Sequence, residues 1–190
     1  MKEVRRIVID PGHGGGTGVR VDEIYEDEIV LRIARDLHVL LNSEINFRSI
    51  LTRVNDVEKP FLKDRCNLSN EINADLYISL HLNGFNNTFV SGIETWVYDT
   101  PSELGDIIHK HVKFFSNDRG VKSSVKEYRP QNGGLDLYVL RYTRCPAVLV
   151  ELGFLTCIID RARLVEYKTH KLLAEALFNG VMEYFKKCPQ

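Results

Sequence analysis

Residues 146–156 read PAVLVELGFLT, an apolar and β-branched run interrupted by a single carboxylate, Glu151. Ala147, Val148, Leu149, Val150, Leu152, Phe154 and Leu155 give the stretch the character of a strand buried on both faces, as the parallel strands of α/β sheets are. An unpaired ion in such a strand costs several kcal/mol. Glu151 therefore implies a partner or a chemical purpose elsewhere in the chain.

Working outward, similar runs bounded by turn residues predict strands over 5–10, 49–53, 76–81 and 93–98, besides 147–151 itself. Helical spacing lies between them. Ile29, Ile33, Leu37, Leu40 and Leu41 recur with a period near 3.6, as do Leu104, Ile107, Ile108, Val112 and Phe115. Thr100 as N-cap, Pro101 at the first helical position and Glu103 as capping-box partner mark the expected start of the second of these helices. A weaker helix is predicted over 62–72, and a C-terminal one carries Leu173, Ala176, Leu177, Val181, Tyr184 and Phe185. Strands alternating with helices predict an α/β fold: one domain, with a mostly parallel or mixed twisted sheet of about six strands and helices on both faces. Residues 116–134, SNDRGVKSSVKEYRPQNGG, carry no clear period and read as a surface loop bordering a groove.

The whole chain of 190 residues, 44% hydrophobic, suits a single core, and the absence of repeats or linkers predicts one domain over 1–190 with no second binding module. With 25 basic against 26 acidic residues and no basic stripe, a nucleic-acid partner is not expected. Cys66, Cys145, Cys157 and Cys188 have neither CxxC spacing nor disulfide-scaffold density, and read as reduced and structural. The N-terminal apolar run, Ile7 to Ile9, is too short for a signal peptide, and nothing approaches the roughly 20 apolar residues of a membrane span. The expectation is a protein made in the cytosol, with no membrane association.

Ligands of open α/β sheets bind beyond the carboxyl ends of the parallel strands. The first, third and fifth predicted strands run into IDPGHGGG, YISLHLNG and VELGF, delivering His13, His81 and Glu151 there. Two histidines and a carboxylate form a common catalytic zinc set with a position left for water. The acidic cluster DEIYEDE (22–28) offers the carboxylate: Glu26 lies three positions before Ile29 on the inward face, which favours it without excluding Glu23. Asp27 and Glu28 are rotated away and read as serving the helix macrodipole. His38, His109, His111 and His170 read as structural. Asn83, two beyond His81, is a candidate substrate contact. A structural alternative for Glu151 is a buried ion pair with Arg53 or Arg65.

Taken in order, IVIDPGHGG, YEDEIVLRIA, LTRVND, DRCNLSNEINADLYISLHLNG and PAVLVELGFLT resemble the successive signature segments of the zinc-dependent N-acetylmuramoyl-L-alanine amidases of the type 3 family. The resemblance covers nearly the whole chain. It implies that His13, Glu26 and His81 bind Zn2+ and that Glu151 is the catalytic acid-base residue. Arg53, Arg65 and Asn70 also match family positions and read as tying the helix after the second strand to the sheet. Cys157 and Val30 depart from the pattern, where Asn and a polar residue are usual. The implied activity is hydrolysis of the amide between N-acetylmuramic acid and L-alanine of the stem peptide. Its implied partner is peptidoglycan, met by a monomer acting on the wall after release from the cell. The rivals are a zinc peptidase cutting within the stem peptide and an inactive wall-binding or regulatory module.

Overall fold

The computed structural model describes residues 4–127 and 137–188. Strand β1 (Arg5–Pro11) leads through a glycine-rich loop and a small antiparallel pair, β2 (Arg20–Val21) and β3 (Ile24–Tyr25), into α1 (Glu26–Ser43). Next come β4 (Phe47–Leu51), α2 (Leu62–Glu71), β5 (Leu76–Asn83) and β6 (Ile93–Val97). They are followed by α3 (Glu103–Val112), β7 (Asp118–Ser123) and α4 (Ser124–Glu127). Beyond residue 136 lie α5 (Tyr138–Tyr142), β8 (Ala147–Phe154), α6 (Ile158–Leu164) and α7 (Tyr167–Lys187).

One six-stranded sheet runs in the order β4-β1-β5-β8-β6-β7. Its neighbours are parallel except β6 and β8, so the sheet is mixed, as expected. Alternate residues explain why the strands read as continuous apolar runs. Ile7, Ile9, Ile78, Leu80, Val148 and Val150 face a large core shared with α1, α3 and α7. Val8, Tyr77 and Leu149 face a smaller one completed by Cys66 of α2 and by Val139 and Leu140 of α5. Each such aliphatic side chain contributes about 1.5–3 kcal/mol on burial. The smaller core bears on the site through α2, which packs there by Cys66 and carries Arg65, a donor to the His13 carbonyl.

Three expectations need correction. Residues 118–123 are not loop but the edge strand β7, and 124–127 form α4. DRGVKS has one β-branched residue and no apolar alternation, so pairing with β6, rather than local propensity, makes it a strand. The remainder of the expected loop, 128–134, lies outside the described residues. Helix α3 is capped by Ser102, whose hydroxyl accepts a 3.1 Å bond from the Gly105 amide, and not by Thr100. Ser102 is extended (φ −141°, ψ 111°), the geometry an N-cap requires. The third correction concerns Asp27 and is physical as well as positional: it is 1% exposed rather than solvated. Its carboxylate accepts from the Gly16 amide at 2.7 Å, holding the glycine-rich loop against the start of α1.

The four cysteines are free, with Cys66 and Cys157 buried. Among the described residues no helix is long and apolar enough to cross a membrane.

Candidate metal and catalytic site

Strand β1 ends in Pro11, and the loop after it carries His13 in a left-handed conformation (φ 59°). Such a backbone is uncommon for a non-glycine residue and persists only where its surroundings fix it. Two arginines do so. Arg53, 1% exposed, donates to the carbonyls of Pro11 (3.0 Å), Gly12 (2.9 Å) and Asp27 (2.7 Å). Arg65 of α2 donates to the carbonyls of Pro11 and His13 and pairs with buried Asp10 at 2.6 Å. Asp10 also accepts from Thr52 and Ser79. Neither arginine pairs with Glu151, so the structural alternative for that glutamate does not hold. Asn70 links α2 to the chain entering β8 through Tyr142 and Arg144.

His81 projects from β5 toward the same point. Glu26, the first residue of α1, reaches between the two imidazoles, with Oε1 3.2 Å from His13 Nε2 and 3.0 Å from His81 Nδ1. Its Oε2 accepts from the Val19 amide (2.7 Å), and Oε1 also accepts from the Leu82 amide (2.9 Å). Burial pushes the Glu26 carboxyl up, but the two histidines outweigh it and leave it far below the ordinary carboxylate range. Glu23, the residue left open by the sequence, is exposed and bonds Arg20 and Tyr25 instead.

Space for this convergence comes from two glycines. A Cβ on Gly12 would lie 2.3–2.7 Å from three ring atoms of His81, and one on Gly18 would lie 2.6 Å from Glu26 Oε2. The backbone must be bare where side chains pack against it.

Glu151 stands beside the trio. In β8 it is the direct register partner of His81 on one side and, across the antiparallel pair, of Glu94 in β6 on the other. Just beyond it the ladder slips by one residue and Gly153 adopts φ 144°, a bulge of the kind that re-aims side chains near functional sites. Among the described residues Glu151 Oε2 is buried without a hydrogen-bond partner. Burial, then the charges of Glu26 and Glu94, push its carboxyl well above the usual range, with Lys122 acting in the opposite sense. A buried acid without a partner is a group that a cation or substrate beside it would satisfy.

These residues open onto a groove of about 710 Å³, lined by His13, His81, Asn83, Trp96, Arg119 and Glu151 among others. Asn83 therefore faces the same space as His81, and its amide donates to Glu94 at 3.3 Å. Sequence reasoning missed Glu94, Arg119 and Lys122. The signal for Glu94 was present, since it interrupts the β-branched GIETWV as Glu151 interrupts PAVLVELGFLT.

Donor chemistry supports a cation here: one carboxylate and two imidazoles offer ligand atoms within 4.8 Å of one another, a set suited to zinc. The structure thus defines a mixed-sheet α/β protein with a His-Glu-His cluster, an adjacent buried acid and an open groove. Comparison with known proteins gives the family. The family described as N-acetylmuramoyl-L-alanine amidase matches residues 7–183, and the chain belongs to it. It is 30% identical over 189 residues to the N-acetylmuramoyl-L-alanine amidase LytC of Bacillus subtilis (strain 168), covering 95% of this chain and 35% of that one. It is 32% identical to the endolysin of Bacillus phage SPP1, covering 92% and 64% respectively. The chain thus spans about a third to two thirds of the length of these relatives. A crystal structure of the N-acetylmuramoyl-L-alanine amidase from Clostridium difficile 630 superposes with a TM-score of 0.85 at 30% identity, over 97% of this chain and 98% of that one.

Proposed function

We propose that this domain is a peptidoglycan hydrolase that cuts the amide joining N-acetylmuramic acid to L-alanine of the stem peptide. The observation that carries the reading is the adjacency of the His13, Glu26 and His81 cluster to the orphaned acid Glu151, in a chain of this family. His13, Glu26 and His81 are the residues that would hold zinc. Zinc bound there supplies Lewis acidity, which lowers the pKa of water and polarises an amide carbonyl.

The protein's own contribution is positional. The amides of Val19 and Leu82 fix the Glu26 carboxylate, and Arg53 and Arg65 fix the loop under His13. Glu151, with Oε2 free, takes a proton from the attacking water and delivers it to the departing L-alanine nitrogen. Its high proton affinity in the absence of a cation falls when positive charge is placed beside it, which suits an exchanging acid-base group. Asn83, turned into the groove, offers an amide to the substrate. The substrate is the wall polymer and the unit acting on it is a single chain. We read residues 1–190 as one catalytic domain.

The test is mass spectrometry of soluble products after the purified protein digests isolated sacculi, with and without chelator. Stem peptides with a free L-alanine amine, absent under chelation, support the reading. Peptides cut internally overturn it in favour of a peptidase.

A further inference from the structure

The groove wall opposite the His-Glu-His cluster holds charges that the hydrolytic step leaves unused. Glu94, 3% exposed, carries two cations on one oxygen: Arg119 Nε at 2.6 Å and Lys122 Nζ at 2.8 Å. Its other oxygen accepts from Asn83 (3.3 Å) and Trp96 (3.2 Å). Burial raises the Glu94 carboxyl, but Lys122 and Arg119 outweigh it and keep it below its ordinary value. Lys122 also acts on Glu151, the register partner of Glu94, so the two cations stand between two carboxylates.

Of the two cations, Arg119 is the one that lines the groove, whereas Lys122 packs over Trp96 at 5.3 Å and does not. Arg119 spends only Nε on Glu94, leaving both Nη groups of the guanidinium without a protein acceptor among the described residues. The ring of Phe154, 5.1 Å from its central carbon, supports the planar group. No further carboxylate among the described residues hydrogen-bonds the Arg119 guanidinium: Asp118 is engaged by His109 and Lys113, and Glu127, also on the groove wall, accepts the Ser123 amide.

The placement is built into the strand. Regular alternation would put Arg119 on the face of Val121, which packs against the core. Between Ile93 and Thr95 the register of β6 and β7 slips by one residue, with Gly120 at φ 80°, so Arg119 reaches Glu94 on the groove face.

We propose that Arg119 is the carboxylate-reading residue of the groove, binding a free carboxylate of the peptide limb about two residues beyond the scissile amide. This rests on the amidase reading above. Side chains paired across β6 and β8 lie about 5 Å apart at Cβ, and the guanidinium is one hydrogen bond beyond Glu94. With the length of the Glu94 side chain included, the span from Glu151 is roughly 8–11 Å, about two to three residues of an extended peptide at ~3.4 Å each. A planar fork with two open N–H edges matches a carboxylate and discriminates against a neutral amide.

The experiment compares two N-acetylmuramoyl dipeptides that differ only in ending in a free α-carboxylate or in a carboxamide on the second residue. The wild-type protein is expected to cleave the carboxylate form with kcat/KM at least about tenfold higher. Arg119→Gln should bring the carboxylate form down toward the amide, and Arg119→Lys should restore part of the gap. Binding of both compounds to Glu151→Gln, measured by calorimetry, should show the same preference without turnover. Equal kcat/KM for the two compounds, or discrimination that survives in Arg119→Gln, overturns the proposal. Failure to cut either compound, with the preference intact in binding, overturns the amidase reading and leaves the carboxylate subsite standing.

Discussion

His81 and Glu151 are direct register partners on the neighbouring parallel strands β5 and β8. Backbones in such a pair lie about 4.8 Å apart and side chains project to the same face. A candidate metal ligand and a candidate acid-base group are therefore fixed to one another by the sheet, without a flexible loop between them. A site on paired strands holds its geometry better than one on loops.

This adjacency separates the two roles. Glu151→Gln is expected to keep zinc, measured by elemental analysis of the purified protein, while kcat falls by about 10²–10⁴. Its thermal midpoint should hold or rise, because the substitution removes a buried acid with no partner. His81→Ala should lose both zinc and turnover. Wild-type kcat in Glu151→Gln would sink the assignment.

The bare backbone at Gly12 makes a second prediction. In Gly12→Ala the new methyl group overlaps the His81 ring, so the imidazole must move. Zinc affinity, read by competition with a chromophoric chelator, should drop by about tenfold or more. Unchanged affinity would mean that His81 tolerates displacement and does not need its present position.

Asp10 and Arg65 form the buried pair beneath the His13 loop. Arg65→Met strands the Asp10 carboxylate and should cost about 3–5 kcal/mol in urea unfolding. Burial raises the Asp10 carboxyl, but Arg65, Thr52 and Ser79 outweigh it, so its folded pKa lies below the ordinary 3.8. The stabilisation it provides is then complete above that value and is lost as pH falls below it. Unfolding measured at pH 7 and at pH 3 should show the difference between wild type and Asp10→Asn shrinking at the lower pH. A constant difference would contradict the pairing.

Zinc binding should itself stabilise the fold. At 100 times the dissociation constant the gain is about 2.7 kcal/mol, or roughly 5–10 °C for a chain of this size. His81→Ala should show no such shift, and a wild-type midpoint indifferent to zinc and to chelator would remove the metal from the site.

Much of the fold was legible in the chain itself. The five predicted strands are present, the edge strand β4 two residues earlier than expected, and the central ones declare themselves locally because strands buried on both faces need apolar residues along their length. The helical faces of α1, α3 and α7 were legible for the same reason: Leu37, Ile108 and Leu177 each belong to a stripe that has to meet the core. The convergence of His13, Glu26 and His81 was foreshadowed by strand-end positions and helical phase, and the incongruity of Glu151 marked the site before any geometry. β7 escaped notice because an edge strand takes its order from its neighbour. Asp27 was misjudged because helical phase says which way a residue points from its own helix, and not that a glycine-rich loop will fold over it. Arg119 is the clearest case: its facing depends on a one-residue slip in the ladder that local sequence does not encode. The sequence by itself determined which residues are apolar enough to be buried and which chemical groups the chain possesses. Tertiary structure alone decided which charges meet, since register between strands distant in sequence sets whether Glu94 neighbours Glu151 or the solvent.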